Sequence, residues 1–111
     1  MNEARSDFGH ESEMLLRQLD RRLHRLRLVR DPAEVELAER LATALGRLVT
    51  ETLSASAADR ARVRAAVHYF VLHQGERRPA RPLSEDVRVV NEILHSLDRP
   101  DLALTLTPEP A

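Results

Sequence analysis

The hydrophobic positions in the first part of the chain recur at intervals of three and four residues. Between Ser12 and Arg30 one stripe carries the leucines Leu15, Leu16, Leu19, Leu23 and Leu26. This spacing matches the 3.6-residue turn of an α-helix, so the pattern predicts a first helix over residues 12–30 with one apolar face. Residues 1–11 carry little apolar surface, and we expect them to form a flexible N-terminal tail.

A helix-start signal follows directly. Asp31 and Pro32 fit the cap and the first position of a helix, and Glu34 occupies the place of a capping-box carboxylate. The apolar positions beyond it predict a second helix over residues 32–53, and the short turn before it favours an antiparallel hairpin. We expect Gly46, inside this helix, to mark a close packing contact.

The third predicted helix covers residues 57–74, with Ser56 at its capping position. Its segment from Ala65 to Leu72 is apolar on nearly every side. Such a segment is typical of a central helix that its neighbours cover, and it suggests a core role for His68.

A loop rich in proline and arginine, residues 75–82, separates this helix from a fourth, predicted over residues 85–98 with Ser84 as its cap. Beyond it, leucines alternate with small or polar residues, at positions Leu102, Leu104 and Leu106. Alternation predicts a short extended segment on the bundle, and residues 108–111 are expected to fray.

These elements predict an all-α fold. We expect a small four-helix bundle-like domain over residues 12–107, with the Pro/Arg loop between helices three and four and a short extended C-terminal segment. The 111 residues suffice for one domain and not for two.

The amino-acid composition excludes several classes of protein function. The chain has no cysteine, which excludes a disulfide framework, a cysteine-based zinc finger and a thiol nucleophile. No apolar run approaches the ~20 residues that span a bilayer, and the N-terminus lacks a signal pattern, so we expect a cytoplasmic protein. The formal net charge of -1 argues against a dedicated nucleic-acid binder.

All 17 basic residues are arginines, and two groups of them are candidate partner-binding sites. Arg17, Arg21 and Arg25 lie four apart, opposite the leucine stripe of the first helix. Three interpretations are open. In the first, the arginines simply pair with Glu36 and Glu39 or are solvated. Alternatively they bind an acidic protein partner, or they bind the phosphates of nucleic acid or of an anionic membrane.

The second group, Arg77, Arg78 and Arg81, lies in the proline-stiffened loop. Proline lowers the entropy of the unbound loop and so the cost of ordering it on binding. The loop is either a second site for a protein partner or a plain connector.

The titratable residues give little support to catalysis. His68 and His73 are five apart, which separates them by about 140° around a helix and makes them poor co-ligands for a metal. Glu85 and Asp86 form a possible acidic pair, but adjacent residues diverge by about 100°, and carboxylates in a first turn already complement the helix dipole. We predict no catalytic residue, no metal and no cofactor; a small metal-dependent enzyme is a further alternative.

Two segments carry a family resemblance. Residues 62–71, followed by residues 83–94, resemble the YkvA-like helical domain family of bacteria. The resemblance implies that Tyr69 matches the aromatic residue at the end of an Ala-rich helix, and that Glu85 and Asp86 match a pair of acids opening the final helix. The Asp-Pro and Pro-Asp loop elements of that family are replaced here by residues 73–82, so no role of those aspartates carries over.

The sequence therefore predicts a non-catalytic helical adaptor or regulatory module that acts through protein–protein interaction. Its partner would present an acidic surface, as a signalling or regulatory protein can. Self-association as a homodimer would use the leucine stripe at positions Leu16, Leu19, Leu23 and Leu26. The alternative is an anion-binding protein that contacts nucleic acid or a membrane through the arginines of its first helix.

Overall fold

The computed structural model describes residues 3–72 and 83–104, with the side chains of residues 9–71 and 83–104. Four α-helices make up most of it: α1 (Glu3–Val29), α2 (Pro32–Glu51), α3 (Ala57–Leu72) and α4 (Leu83–Ser96). A 3₁₀ turn over Pro100–Leu102 follows α4. The described residues contain no strand, and the predicted all-α four-helix arrangement is confirmed.

The first helix begins earlier than the sequence predicted. It starts at Glu3, so the expected tail over residues 1–11 is wrong for the residues from Glu3 onwards. Extending a helix costs less than nucleating one, and Arg64 of α3 holds Glu11 at 2.7 Å, which fixes this part of α1 against the bundle.

The hairpin of α1 and α2 is antiparallel, as predicted. Arg27 pairs with Glu39, and a Cβ added to Gly46 would lie 3.7 Å from Leu16 Cδ2, so contacts run in opposite directions along the two helices. The Asp31 side chain accepts a hydrogen bond from the Glu34 backbone N–H at 2.9 Å, which confirms the predicted cap.

The remaining helices complete an up-down-up-down order. Contacts of α1 with α3 join Glu11 to Arg64 and Arg22 to Phe70, so these two helices are parallel. In the same way, α2 and α4 run parallel, since Glu34 contacts Leu83 and Glu51 contacts Arg99.

The third helix differs from its predicted character. It contacts all three other helices, yet it buries one face only, at positions Val63, Ala66, Val67 and Phe70. Ala65 is exposed and His68 is half-buried, so the expected core histidine is wrong. The predicted cap at Ser56 is confirmed by a 3.1 Å hydrogen bond from the Asp59 backbone N–H, whereas Ser84 lies inside α4 rather than ahead of it.

The core is mostly aliphatic, with one aromatic ring, Phe70, and is shared by all four helices. Its fully buried larger side chains are Phe70, Leu26, Leu41, Leu45, Leu48, Leu83, Leu94, Val67, Val87 and Val90. Each comes from an apolar position spaced by three or four residues, so the periodicity of the sequence maps directly onto the buried faces.

After α4 the chain turns and packs back along the bundle. We call residues Arg99–Leu104 the strap. Leu102 is 7% exposed, and Leu104 is half-buried beside α4. The predicted extended segment thus begins with a 3₁₀ turn and becomes extended at Ala103, while Leu106 and residues 108–111 lie outside the described residues. The Pro/Arg loop, with Arg77, Arg78 and Arg81, also lies outside them.

Candidate functional site

Three arginines line the solvent side of α1. Arg17, Arg21 and Arg25 are all exposed, and we call them the arginine face. The face exists because the leucines at positions 15, 19 and 26 turn the opposite side of the helix into the core. Three positive charges therefore stand in a row over about 12 Å of helix, at 1.5 Å of rise per residue.

The arginine face makes no ion pair within the described part of the chain. By contrast, carboxylates neutralise many other arginines there, in the pairs Arg27–Glu39, Arg30–Glu34, Arg47–Glu51, Arg62–Asp59, Arg64–Glu11 and Arg99 with Glu51 and Asp101. The expected pairing of the face with Glu36 and Glu39 is not found, because Glu39 binds Arg27 and Glu36 pairs with none of the three.

Exposed aliphatic side chains flank this positive charge. Leu28 is 71% exposed and Val29 74%, at one end of the arginine face, and Met14 is 43% exposed at the other. Leu28 lies three residues beyond Arg25 and seven beyond Arg21, on the same side of the helix. The outer side of α1 thus combines unpaired cations with apolar surface that the domain itself leaves uncovered.

A fourth arginine of the same helix has a different environment. Arg22 is 8% exposed; its Nε donates to the carbonyl oxygen of Phe70 at 3.1 Å, and its guanidinium carbon lies 5.7 Å from the centre of the Phe70 ring. Arg22 is not among the site residues predicted from the sequence. The available signal was its spacing, because Arg22 continues the three- and four-residue steps from Leu15 through Leu19 to Leu26.

The leucine stripe is used within the chain. Leu19 and Leu26 are 3% and 1% exposed, and Leu23 packs against the same core. Leu16, the fourth predicted self-association residue, is 37% exposed and lies beside Gly46. The central side chains of this stripe thus pack within the hairpin, and self-association through the stripe stays a prediction from the sequence.

The acidic pair is divided between two environments. Asp86 is 1% exposed and faces the core, whereas Glu85 borders a surface groove. Their divergence follows from the 100° step between neighbouring helical residues, so the two carboxylates do not share one face.

Two grooves flank the strap. One, of about 530 Å³, lies between α2 and the strap, and the other, of about 520 Å³, runs along α4. Leu104 borders both. Asn91 holds it there: the Leu104 backbone N–H donates to Asn91 Oδ1 at 3.0 Å, and Asn91 Nδ2 donates to the Leu104 carbonyl oxygen at 2.9 Å.

An ion-pair network ties the base of the strap to α2. Arg99 Nη2 lies 2.7 Å from Glu51 Oε1 and 2.9 Å from Asp101 Oδ2. The hydrogen bonds from Arg99 lower the pKa of both carboxyl groups, and Arg47 reinforces the effect on Glu51. The pKa of Arg99 is raised in turn, first by Asp101 and then by Glu51.

Among the residues that the structure describes, no three His, Asp or Glu side chains are grouped closely enough to hold a metal ion. Within the same residues, no helix combines the length and the hydropathy needed to cross a bilayer. Comparisons with protein-family models, with curated proteins and with solved structures found no match. The resemblance to the YkvA-like family therefore stays a prediction from the sequence.

Proposed function

We propose that this protein is a non-catalytic helical adaptor or regulatory module that binds an acidic protein surface through the outer side of α1. The observation that carries the proposal is the arginine face, whose three exposed guanidinium groups find no carboxylate among the described residues. Arginine binds carboxylates through two parallel hydrogen bonds and is enriched where protein interfaces concentrate their binding energy.

The flanking side chains favour a protein partner over a bare polyanion. Leu28 and Val29 at one end, and Met14 at the other, offer apolar contacts that a phosphate backbone does not use. A complementary partner is an amphipathic helix with acidic residues at four-residue intervals and aliphatic residues at both ends. Two copies of this protein would repel one another here, because each presents three positive charges.

Binding to defined probes tests the proposal. The probes are a synthetic helical peptide with glutamates at four-residue spacing and terminal leucines, a duplex DNA, and vesicles containing phosphatidylserine. We expect the peptide to bind in physiological salt and more tightly than either polyanion. Titration calorimetry or fluorescence anisotropy of the labelled probe measures each affinity.

Two triple variants with equal charge change serve as test and control. Arg17→Gln with Arg21→Gln and Arg25→Gln should weaken peptide binding by about tenfold or more, because every charge-assisted bond of the face is lost. The control replaces exposed arginines outside α1, Arg47→Gln with Arg62→Gln and Arg88→Gln, and should bind within about twofold of the parent.

The anion-binding alternative predicts a different pattern. DNA or vesicles would then bind more tightly than the peptide, and their affinity would fall steeply with salt as counterions are released. Equal losses in the two triple variants would reject the arginine face as the site.

A further inference from the structure

The strap is held on the bundle by contacts to its main chain and to two of its side chains. Asn91 pairs with both the N–H and the C=O of Leu104, in the manner of a neighbouring β-strand. Leu102 adds a side chain that is 7% exposed, and Arg99 adds the ion pair with Glu51. The strap thus has its own docking site, formed by α2 and α4.

A turn with an unusual backbone conformation connects the strap to α4. Asp98 has a φ of 62°, and it is the one described residue other than glycine with a positive φ. The Arg99 N–H donates to the Leu94 carbonyl oxygen at 2.8 Å, and the Asp98 N–H to that of His95 at 3.0 Å. These two bonds define a Schellman motif, whose left-handed position is normally occupied by glycine. The left-handed conformation is sterically strained for Asp98, and opening the turn would relieve this strain.

The strap is also accessible. Open grooves of about 530 and 520 Å³ lie on its two sides, and Leu104 borders both of them. Open space therefore borders the strap on both sides. Opening costs the two hydrogen bonds to Asn91, the burial of Leu102, the contact between Arg99 and Glu51, and the two backbone hydrogen bonds of the turn.

We propose that two copies of this protein exchange their straps, each docking Arg99–Leu104 on the Asn91 site of the other, with Asp98 as the hinge. A second copy fits the site because it brings the same residues that dock within one chain. The contacts of the strap with Asn91, Glu51 and the Leu102 site are then recovered in the dimer. Each opened turn exchanges its backbone hydrogen bonds for bonds to water and loses the strain of the left-handed conformation. This inference does not depend on the acidic partner, since it uses neither the arginine face nor any other residue of α1.

Concentration controls the exchange. A short connection holds the strap near its own site at an effective concentration in the millimolar range, so the dimer should become measurable at about 1 mM protein. Light scattering after gel filtration of the full chain, equilibrated at that concentration and run without delay, measures the dimer fraction.

Substitution of the hinge separates exchange from ordinary association. Asp98→Gly removes the steric cost of the left-handed turn and should lower the dimer association constant by roughly tenfold or more, because two hinges contribute. Asp98→Ala increases that cost and should raise the constant. Asn91→Ala is the matched control: it weakens docking equally within and between chains, so it should leave the constant unchanged.

Isotope-filtered NMR identifies the docked strap directly. In a dimer formed from equal amounts of labelled and unlabelled chains, we expect contacts between the Asn91 side-chain amide of one chain and Leu104 of the other. A monomeric mass for Asp98→Ala at about 1 mM would overturn the proposal. So would a dimer in which Asn91 contacts only the Leu104 of its own chain, or one that the Asp98 substitutions do not affect.

Discussion

Arg22 of α1 holds the end of α3 through Phe70. Its Nε lies 3.1 Å from the Phe70 carbonyl oxygen, and its guanidinium group stands 5.7 Å from the centre of the ring of the same residue. Phe70 belongs to the last turn of α3, where an α-helix leaves its carbonyl oxygens without intrahelical donors. A buried cation is well placed there, because the helix dipole is negative at this end.

We therefore expect Arg22→Met to destabilise the domain although methionine preserves most of the apolar volume. The Phe70 carbonyl loses a charge-assisted donor inside the bundle, at a cost of about 1–3 kcal/mol in the free energy of unfolding. Urea unfolding followed by circular dichroism measures the loss. The neighbouring exposed residue provides the control, since Arg21→Met should change stability by less than about 0.5 kcal/mol. Equal effects at the two positions would contradict the role of Arg22.

The contrast between these two arginines shows what the sequence revealed and what it did not. Periodicity predicted that Leu19 and Leu26 are buried and that Arg21 is exposed, because each judgement depends only on the helical repeat. The same repeat also places Arg22 on the leucine side, but it does not reveal what makes burial of a cation favourable, because the partner is a carbonyl 48 positions further along the chain. Residue type argued against burial, and only the structure supplies the partner that makes burial favourable.

A local feature of the sequence was predicted correctly, and contacts between distant residues were not. Asp31 was predicted correctly as a cap because capping is local, but the side chain of Glu34, expected to reach back to it, binds Arg30 and Leu83 instead. Docking of the strap by Asn91 connects residues 13 apart through a turn, and no periodic signal encodes it.

Gly46 offers a site for stabilisation. It lies inside α2, and a Cβ added there would meet Leu16 Cδ2 at 3.7 Å, an ordinary van der Waals distance. Gly46→Ala should therefore raise the free energy of unfolding by about 0.5–1 kcal/mol, because alanine restricts the unfolded chain and favours the helix. The melting temperature of the variant, measured by thermal unfolding, checks this prediction. A lower melting temperature would show instead that the predicted close packing at Gly46 excludes a methyl group.

The contact between the strap and α2 should depend on pH in the acid range. The hydrogen bonds from Arg99 lower the pKa of Glu51 from its ordinary 4.5 and that of Asp101 from its ordinary 3.8. A carboxylate with a lowered pKa stabilises the fold above its ordinary pKa, and this stabilisation is lost as the pH falls through the lowered value. The chemical shift of the Leu104 amide should thus be constant near neutral pH and change in the acid range.

Carbon NMR of the two carboxyl groups provides the accompanying measurement. In Arg99→Gln both should titrate closer to their ordinary values, with Asp101 returning further because Arg47 still pairs with Glu51. The Leu104 amide should then lose most of its dependence on pH. An unchanged titration of Asp101 in this variant would show that Arg99 is not the cause of its lowered pKa.

Glu34 joins the hairpin to the start of α4, and its charge should contribute to stability. Its Oε1 lies 2.7 Å from Arg30 Nη1 and 3.4 Å from the backbone nitrogen of Leu83, the first residue of α4, where the helix dipole favours a negative charge. Glu34→Gln keeps the shape and an acceptor oxygen but removes the charge, so it should lower the free energy of unfolding by about 0.5–1 kcal/mol, and by less in high salt.

The matched control is Glu36→Gln, two positions along the same helix. The exposed carboxylate of Glu36 makes no ion pair with the described residues, so the change in stability should be close to zero. Chemical denaturation of the two variants at low and high salt measures the difference, and equal stabilities would show that the charge of Glu34 does not stabilise this end of the bundle.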